Sequence, residues 1–144
     1  MTGRRGFTLI ELLLVIGIIA ILAAIVIVAV NPTKSIGEER NKQRRSDVNT
    51  ILKAVYSYAI DNSSELPPGI VTSVKGICRT GATSCRNGIN LDILTGSYII
   101  RIPMDPQAST SGTGTDYTIV RDAKGRITVA APDAEQGATI SVTQ

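Results

Sequence analysis

The sequence predicts an α+β protein in which one long N-terminal helix, apolar in its first half and amphipathic in its second, packs on a small antiparallel β-sheet. Three observations predict it. Residues 12–30 run for 19 positions without a charge. Val48, Ile51, Leu52, Val55 and Ala59 then recur at i, i+3, i+4, i+7 and i+11, one stripe of a helix face. Beyond residue 69 the pattern changes to short β-like runs between turn residues.

Composition narrows the function before any motif is considered. The 144 residues suffice for one domain once a membrane or targeting segment is set aside. There is no His, which removes the commonest general base and the commonest zinc ligand. Two Cys cannot build a four-Cys metal site. With no nucleophile–base pair, metal cluster or phosphate-cradling loop, no catalytic residue, metal or cofactor is expected, and the chain is not read as an enzyme. The net charge of +3 says little, because without Arg4 and Arg5 there are 13 basic against 12 acidic side chains. Aromatics make up 3%, too few for a base-stacking surface, so a nucleic-acid partner is left open but unsupported.

Residues 1–6 form a short basic lead and residues 7–30 an apolar run. Nineteen helical residues cover roughly 28 Å, close to the ~30 Å hydrocarbon core of a bilayer. A secretory signal would have a shorter apolar region, about 7–15 residues, ending at a small-x-small site. This run continues well past Ala23-Ala24, and it carries Glu11 near its start. A carboxylate in lipid is costly, so it invites a functional reading against the plainer one of a snorkelling, unpartnered side chain.

The soluble part, residues 31–144, follows Asn31-Pro32. An amphipathic helix is expected over 33–62, with Ser35-Ile36-Gly37-Glu38 fitting a capping box at its start. The charges from Glu38 to Arg45 read as a solvated face supported by Glu38 and Lys42 at i,i+4, with a basic patch for DNA or for an acidic neighbour as the alternative. Residues 63–97 read as a variable loop and 98–144 as the antiparallel sheet. Its expected strands are Tyr98 to Ile102, then Tyr117 to Val120 and Arg126 to Ala130 around a turn at Asp122 to Gly125, with Thr139 to Val142 at the edge. Cys78 and Cys85 can close a small disulfide in an oxidising compartment, worth on the order of 2–3 kcal/mol in the chain-entropy model. Two free thiols, or a weak metal pair lacking further ligands, are the alternatives.

The octapeptide Gly6-Phe7-Thr8-Leu9-Ile10-Glu11-Leu12-Leu13, after a basic lead and opening a long apolar helix, resembles the type IV prepilin class, which includes pilins and type II secretion pseudopilins. The resemblance is sharp over residues 4–30, extends along the helix to Asn62 and is architectural beyond. It implies the pilin fold, cleavage after Gly6 by a membrane prepilin peptidase, and N-methylation of the new N-terminus, Phe7. A side chain of hydrogen lets extended backbone approach a protease site closely. It also implies that Glu11 pairs with the N-terminal amine of a neighbouring subunit. Each charge is costly alone in apolar surroundings and much less so when paired, and a buried pair can fix axial register.

The resemblance further implies an inner-membrane, single-pass precursor with an extracytoplasmic body. An assembly machine with an ATPase would then draw it into a homo-oligomeric extracellular or periplasmic filament. Two features fit less easily. Lys34, Arg40, Lys42, Arg44 and Arg45 follow the apolar run, so the positive-inside rule gives this orientation no support. Pro32 is expected to kink the helix, at a position later than the resemblance leads one to expect. Pro103-Met104-Asp105-Pro106 resembles a turn of major pseudopilins, some of which bind calcium. Asp105, Asp116 and Asp122 are the oxygens weighed for that ion, without a dense acidic loop to support it. The expected function is a structural subunit of a type IV pilus-like filament. The alternatives are a type II secretion pseudopilin and a membrane-anchored binding module that never polymerises.

Overall fold

The structure, a computed structural model, describes residues 6–144; residues 1–5, and with them Arg4 and Arg5 of the basic lead, lie outside the described residues. The chain divides into two compact units, the first ending at Ile36 and the second running Gly37–Gln144.

Helix α1 spans Leu9–Val30, 22 residues, and none of them is buried. Apolar side chains cover its whole circumference, the pattern of a helix whose surroundings are lipid or other helices rather than its own core. It is long and apolar enough to cross a membrane. The helix stops at Asn31, which takes the left-handed conformation (φ 43°, ψ 71°) that asparagine tolerates better than most residues. The Asn31 Oδ1 then accepts from the Lys34 backbone N–H at 3.4 Å and the Thr33 hydroxyl at 3.0 Å, so one residue closes α1 and caps the next helix.

Helix α2 is Pro32–Asp61. The expected kink at Pro32 therefore falls one residue earlier, at Asn31. Pro32 takes the first helical position, where a missing N–H costs no hydrogen bond. The capping box expected at Ser35–Glu38 is not a helix start, since those residues lie inside α2.

Within the second unit, the expected stripe of α2 is buried: Val48, Ile51 and Val55 are fully covered, with Leu52 and Ala59 beside them. They pack on a four-stranded antiparallel sheet in the order β1 (Lys75–Cys78), β2 (Gly114–Arg121), β3 (Ile127–Ala131), β4 (Ile140–Thr143). Alternation selects the inward residues: Thr115, Tyr117 and Ile119 from β2, and Ile127, Val129 and Ala131 from β3. The hairpin joining β2 and β3 forms where the sequence placed it. Gly125 adopts φ 87° and donates its N–H to the Asp122 carbonyl at 3.0 Å.

One expected strand is absent and one unexpected strand is present. Tyr98 to Ile102 form a turn, not a strand. Tyr98 and Ile99 both donate to the Leu94 carbonyl at 3.1 Å, continuing the 3-10 turn Asp92–Leu94, and Ile100 is left 93% exposed. The backbone groups that a strand would offer to a neighbour are spent locally, or on the Thr80 hydroxyl, which accepts from the Ile102 N–H at 2.8 Å. The strand at that side of β2 comes instead from residues 75–78, inside the segment read as loop.

Candidate functional site

The residues that carry the chemistry expected of this chain lie at the start of α1. Gly6, Phe7 and Thr8 precede the helix, and Phe7 is 90% exposed. A Cβ on Gly6 would meet nothing within 4 Å, so packing within the chain does not ask for glycine there. Thr8 has extended backbone (φ −82°, ψ 152°) and is the N-cap. Its hydroxyl accepts from the Glu11 N–H at 3.3 Å. Glu11 returns the contact through one oxygen: Oε2 accepts from the Thr8 N–H and from the Thr8 hydroxyl, both at 2.9 Å. This reciprocal capping box satisfies two of the donors that a helix start leaves without intrahelical partners. It also places a carboxylate at the positive end of the α1 dipole.

Within the chain the Glu11 carboxylate is hydrogen-bonded. Its partner is local, three residues back. Oε1 makes no hydrogen bond among the described residues and remains able to accept a cation.

The second polar constellation was not anticipated. Arg44, read as one charge on a solvated face, is fully buried. Its Nε and Nη2 hold the Asp105 carboxylate through two bonds of 2.5 and 3.0 Å. Nη2 also donates to Gln107 Oε1 at 2.7 Å, and Nη1 to Asn41 Oδ1 at 3.0 Å and Glu135 Oε2 at 2.9 Å. Arg40 grips Glu135 from the other side, at 2.6 and 2.5 Å. The Asn41 side chain exchanges two hydrogen bonds with the Glu135 backbone. The loop carrying Glu135 lies so close to α2 that a Cβ on Gly37 would sit 2.8 Å from the Gln136 amide nitrogen.

Electrostatics follow the contacts. The Arg40 guanidinium, and after it Arg44, draws the Glu135 carboxyl down to about 2. The Asp105 carboxylate raises Arg44 further above its ordinary range. Asp47, in contrast, is pushed up by burial, with hydrogen bonds from the Tyr117 hydroxyl and the Gln43 amide, both at 2.7 Å, as partial compensation. Within the charge run, Lys42 pairs with Glu39 at 3.0 Å.

Other expected site residues are placed as follows. Cys78 and Cys85 form a disulfide, and a Cβ on Gly88 would run into Cys85 Sγ, so glycine is needed where the loop folds over the bridge. Asp105 is committed to Arg44, and Asp122 to Arg126 at 2.7 Å and to its own turn. The three aspartates weighed for calcium are therefore not presented together as free ligands, and the described residues contain no group of three or more metal-binding side chains.

Comparison with known proteins agrees with the helix start. The family described as "Prokaryotic N-terminal methylation motif" matches residues 1–27. Over 144 residues, covering 97% of this chain and 90% of that protein, the chain is 28% identical to the type II secretion system core protein G of Escherichia coli (strain K12). No solved structure gives a significant match.

Proposed function

We propose that this chain, a member of the type IV pilin and type II secretion pseudopilin family of structural, non-enzymatic proteins, is cut after Gly6 and assembled through its N-terminal helix into a pilus-like filament. The observation that carries the reading is the motif from Gly6 to Glu11 opening a 22-residue helix with no buried residue. A helix of that surface needs lipid before assembly and other helices after it. Since lipid is as apolar as leucine, the exchange itself gains little, and packing with specific polar contacts must supply the specificity. Prepilin peptidase and an ATPase-driven inner-membrane assembly machinery are the partners this reading requires.

Glu11 is the residue we assign to register. Cleavage would create an α-amine at Phe7 with a reference pKa of about 7.7–8.0, mostly cationic at neutral pH. Oε2 is held by Thr8, and Oε1 is open to the amine of the next subunit, so the pair forms without dismantling the cap. The disulfide supports an extracytoplasmic body, because such bonds persist in oxidising compartments.

A second reading, a pseudopilin of type II secretion, is favoured by the likeness to core protein G along nearly the whole chain. Surface filaments with intact protein export support the pilus; loss of export on deletion of the chain supports the pseudopilus. A membrane-anchored module that never polymerises would need neither cleavage nor Glu11. Intact mass and N-terminal sequencing of the protein from native membranes or sheared filaments test this. The expected chain begins at Phe7 and is heavier by about 14 Da, one methyl group. A chain still beginning at Met1 beside an active prepilin peptidase overturns the proposal.

A further inference from the structure

Two grooves of the second unit are not used by the reading above. One, of about 400 Å³, is flanked by Arg79 and Arg101 and lined by Asp47, Gln43, Ile102 and Met104. Arg79 is held in place by donating to the Thr110 and Gly112 carbonyls at 2.6 and 2.9 Å, yet its charge meets no carboxylate among the described residues. Arg101 is exposed and makes no ion pair among them. The one acid in this groove, Asp47, is 5% exposed and committed to Tyr117 and Gln43. The groove thus carries surplus positive charge on its accessible rim.

The other groove, of about 640 Å³, presents Asp116 and Asp133, both exposed and both without a hydrogen bond or ion pair among the described residues; Arg86 is its one cation. Several other carboxylates of this unit are committed: Glu39 to Lys42, Asp105 and Glu135 to the arginines of α2, Asp122 to Arg126, and Asp92 to the Gly81 N–H. Asp116 protrudes from the irregularity of β2, where φ is 63°. Its carboxyl is pushed up first by desolvation and then by the negative charges of Asp133 and Asp105.

We propose that the Arg79–Arg101 groove is a docking surface for a second copy of this chain, which enters it with Asp116 and Asp133. The two grooves share no lining residue, so each copy can donate and receive at once. An interface between two different patches is heterologous; repeated without closing, it gives an open helical chain. The proposal rests on the filament reading and deepens it. Beyond Glu11 the apolar surface of α1 carries little rotational information, and contacts on the second unit can fix the angle between successive subunits. Partly exposed charge pairs are suited to fixing it, since they select register and speed encounter more than they add affinity, and they weaken with salt.

The test uses the full-length chain expressed with its assembly machinery. Arg101→Glu and Asp133→Arg are each expected to lower the yield of sheared filaments about ten-fold, and the double reversal to bring it back to within about two-fold of wild type. The neutral Arg101→Gln, a milder change at an exposed position, is expected to fall between. In every variant the N-terminus remains Phe7 and the Cys78–Cys85 bridge remains closed, which separates docking from processing and folding. Wild-type yield from either single reversal overturns the proposal, as does a double reversal no better than the singles. Wild-type protein uncut at Gly6 overturns the filament reading itself, a result distinguishable from both.

Discussion

Helices α1 and α2 follow one another in the chain and use their side chains in opposite ways. In α1, Leu, Ile and Val residues stand 50–81% exposed along its length and nothing is buried. In α2, an arginine is covered completely while Ile60 is left 79% exposed. Residue type alone therefore does not decide burial here; what decides it is whether the rest of the chain supplies a matching surface. Arg44 is buried because Asp105, Gln107, Asn41 and Glu135 accept from its guanidinium. The residues of α1 find no such surface among the described residues.

The comparison breaks most visibly at Arg44. Truncating it strands the buried Asp105 carboxylate, and removing one partner of a buried ion pair costs about 3–5 kcal/mol. Arg44→Ala is expected to lose that much in urea unfolding of the full chain in detergent. Lys42→Ala, two residues away on the exposed side, should change stability by less than about 0.5 kcal/mol. An Arg44→Ala loss as small as that of Lys42→Ala would mean that the buried cluster adds nothing beyond an ordinary surface pair.

Acid sharpens the same contrast with a smaller effect. The folded-state value of Glu135, about 2, lies below its ordinary 4.5. Its contribution to stability is therefore complete above about pH 4.5 and is lost as the pH falls from there through about 2. Asp47 works the other way: burial raises its carboxyl, so protonation relieves a penalty as the pH falls through its raised value. Glu135→Gln should lower the Tm at pH 6, and the gap to wild type should narrow steadily between pH 4.5 and 2. No gap at pH 6 would show that Glu135 acts through its backbone contacts with Asn41 rather than through its charge.

Much of this was legible in the sequence, and what was missed had local causes. The stripe from Val48 to Ala59 placed the core face of α2. Extended backward by four and seven residues it passes through Arg44 and Asn41, both buried, but the charge run hid the continuation. The four residues Thr8-Leu9-Ile10-Glu11 held a capping signal as well as a charge, and the same signal at Ser35–Glu38 pointed to a start that the chain passes through. Strand β1, Lys-Gly-Ile-Cys, has neither length nor alternation. It exists through pairing with residues about forty positions later and through Cys85, information no short window contains. Tyr98 to Ile102 had the composition of a strand, but Tyr98 and Ile99 donate to the Leu94 carbonyl and Ile102 to the Thr80 hydroxyl, outside the sheet.

The smallest effect concerns the polar end of α1, where the two helices are most alike: each begins with a side chain caring for backbone N–H groups, Thr8 in one and Asn31 in the other. Thr8→Ala removes the hydroxyl that accepts from the Glu11 N–H and one of the two bonds to Glu11 Oε2. Loss of such a cap costs about 1 kcal/mol, equivalent to about five-fold faster opening of the first turn. Amide hydrogen exchange at Glu11 and Leu12 in micelles should speed up by that factor, with Thr8→Ser near wild type and the unfolding of the second unit unchanged. The consequence for assembly is a less well placed Glu11, because an alanine leaves the carboxylate only the Thr8-position N–H to hold it. If exchange is unaltered, the helix start is set by the environment of α1 rather than by its cap, and the two helices differ at their beginnings as well as along their faces.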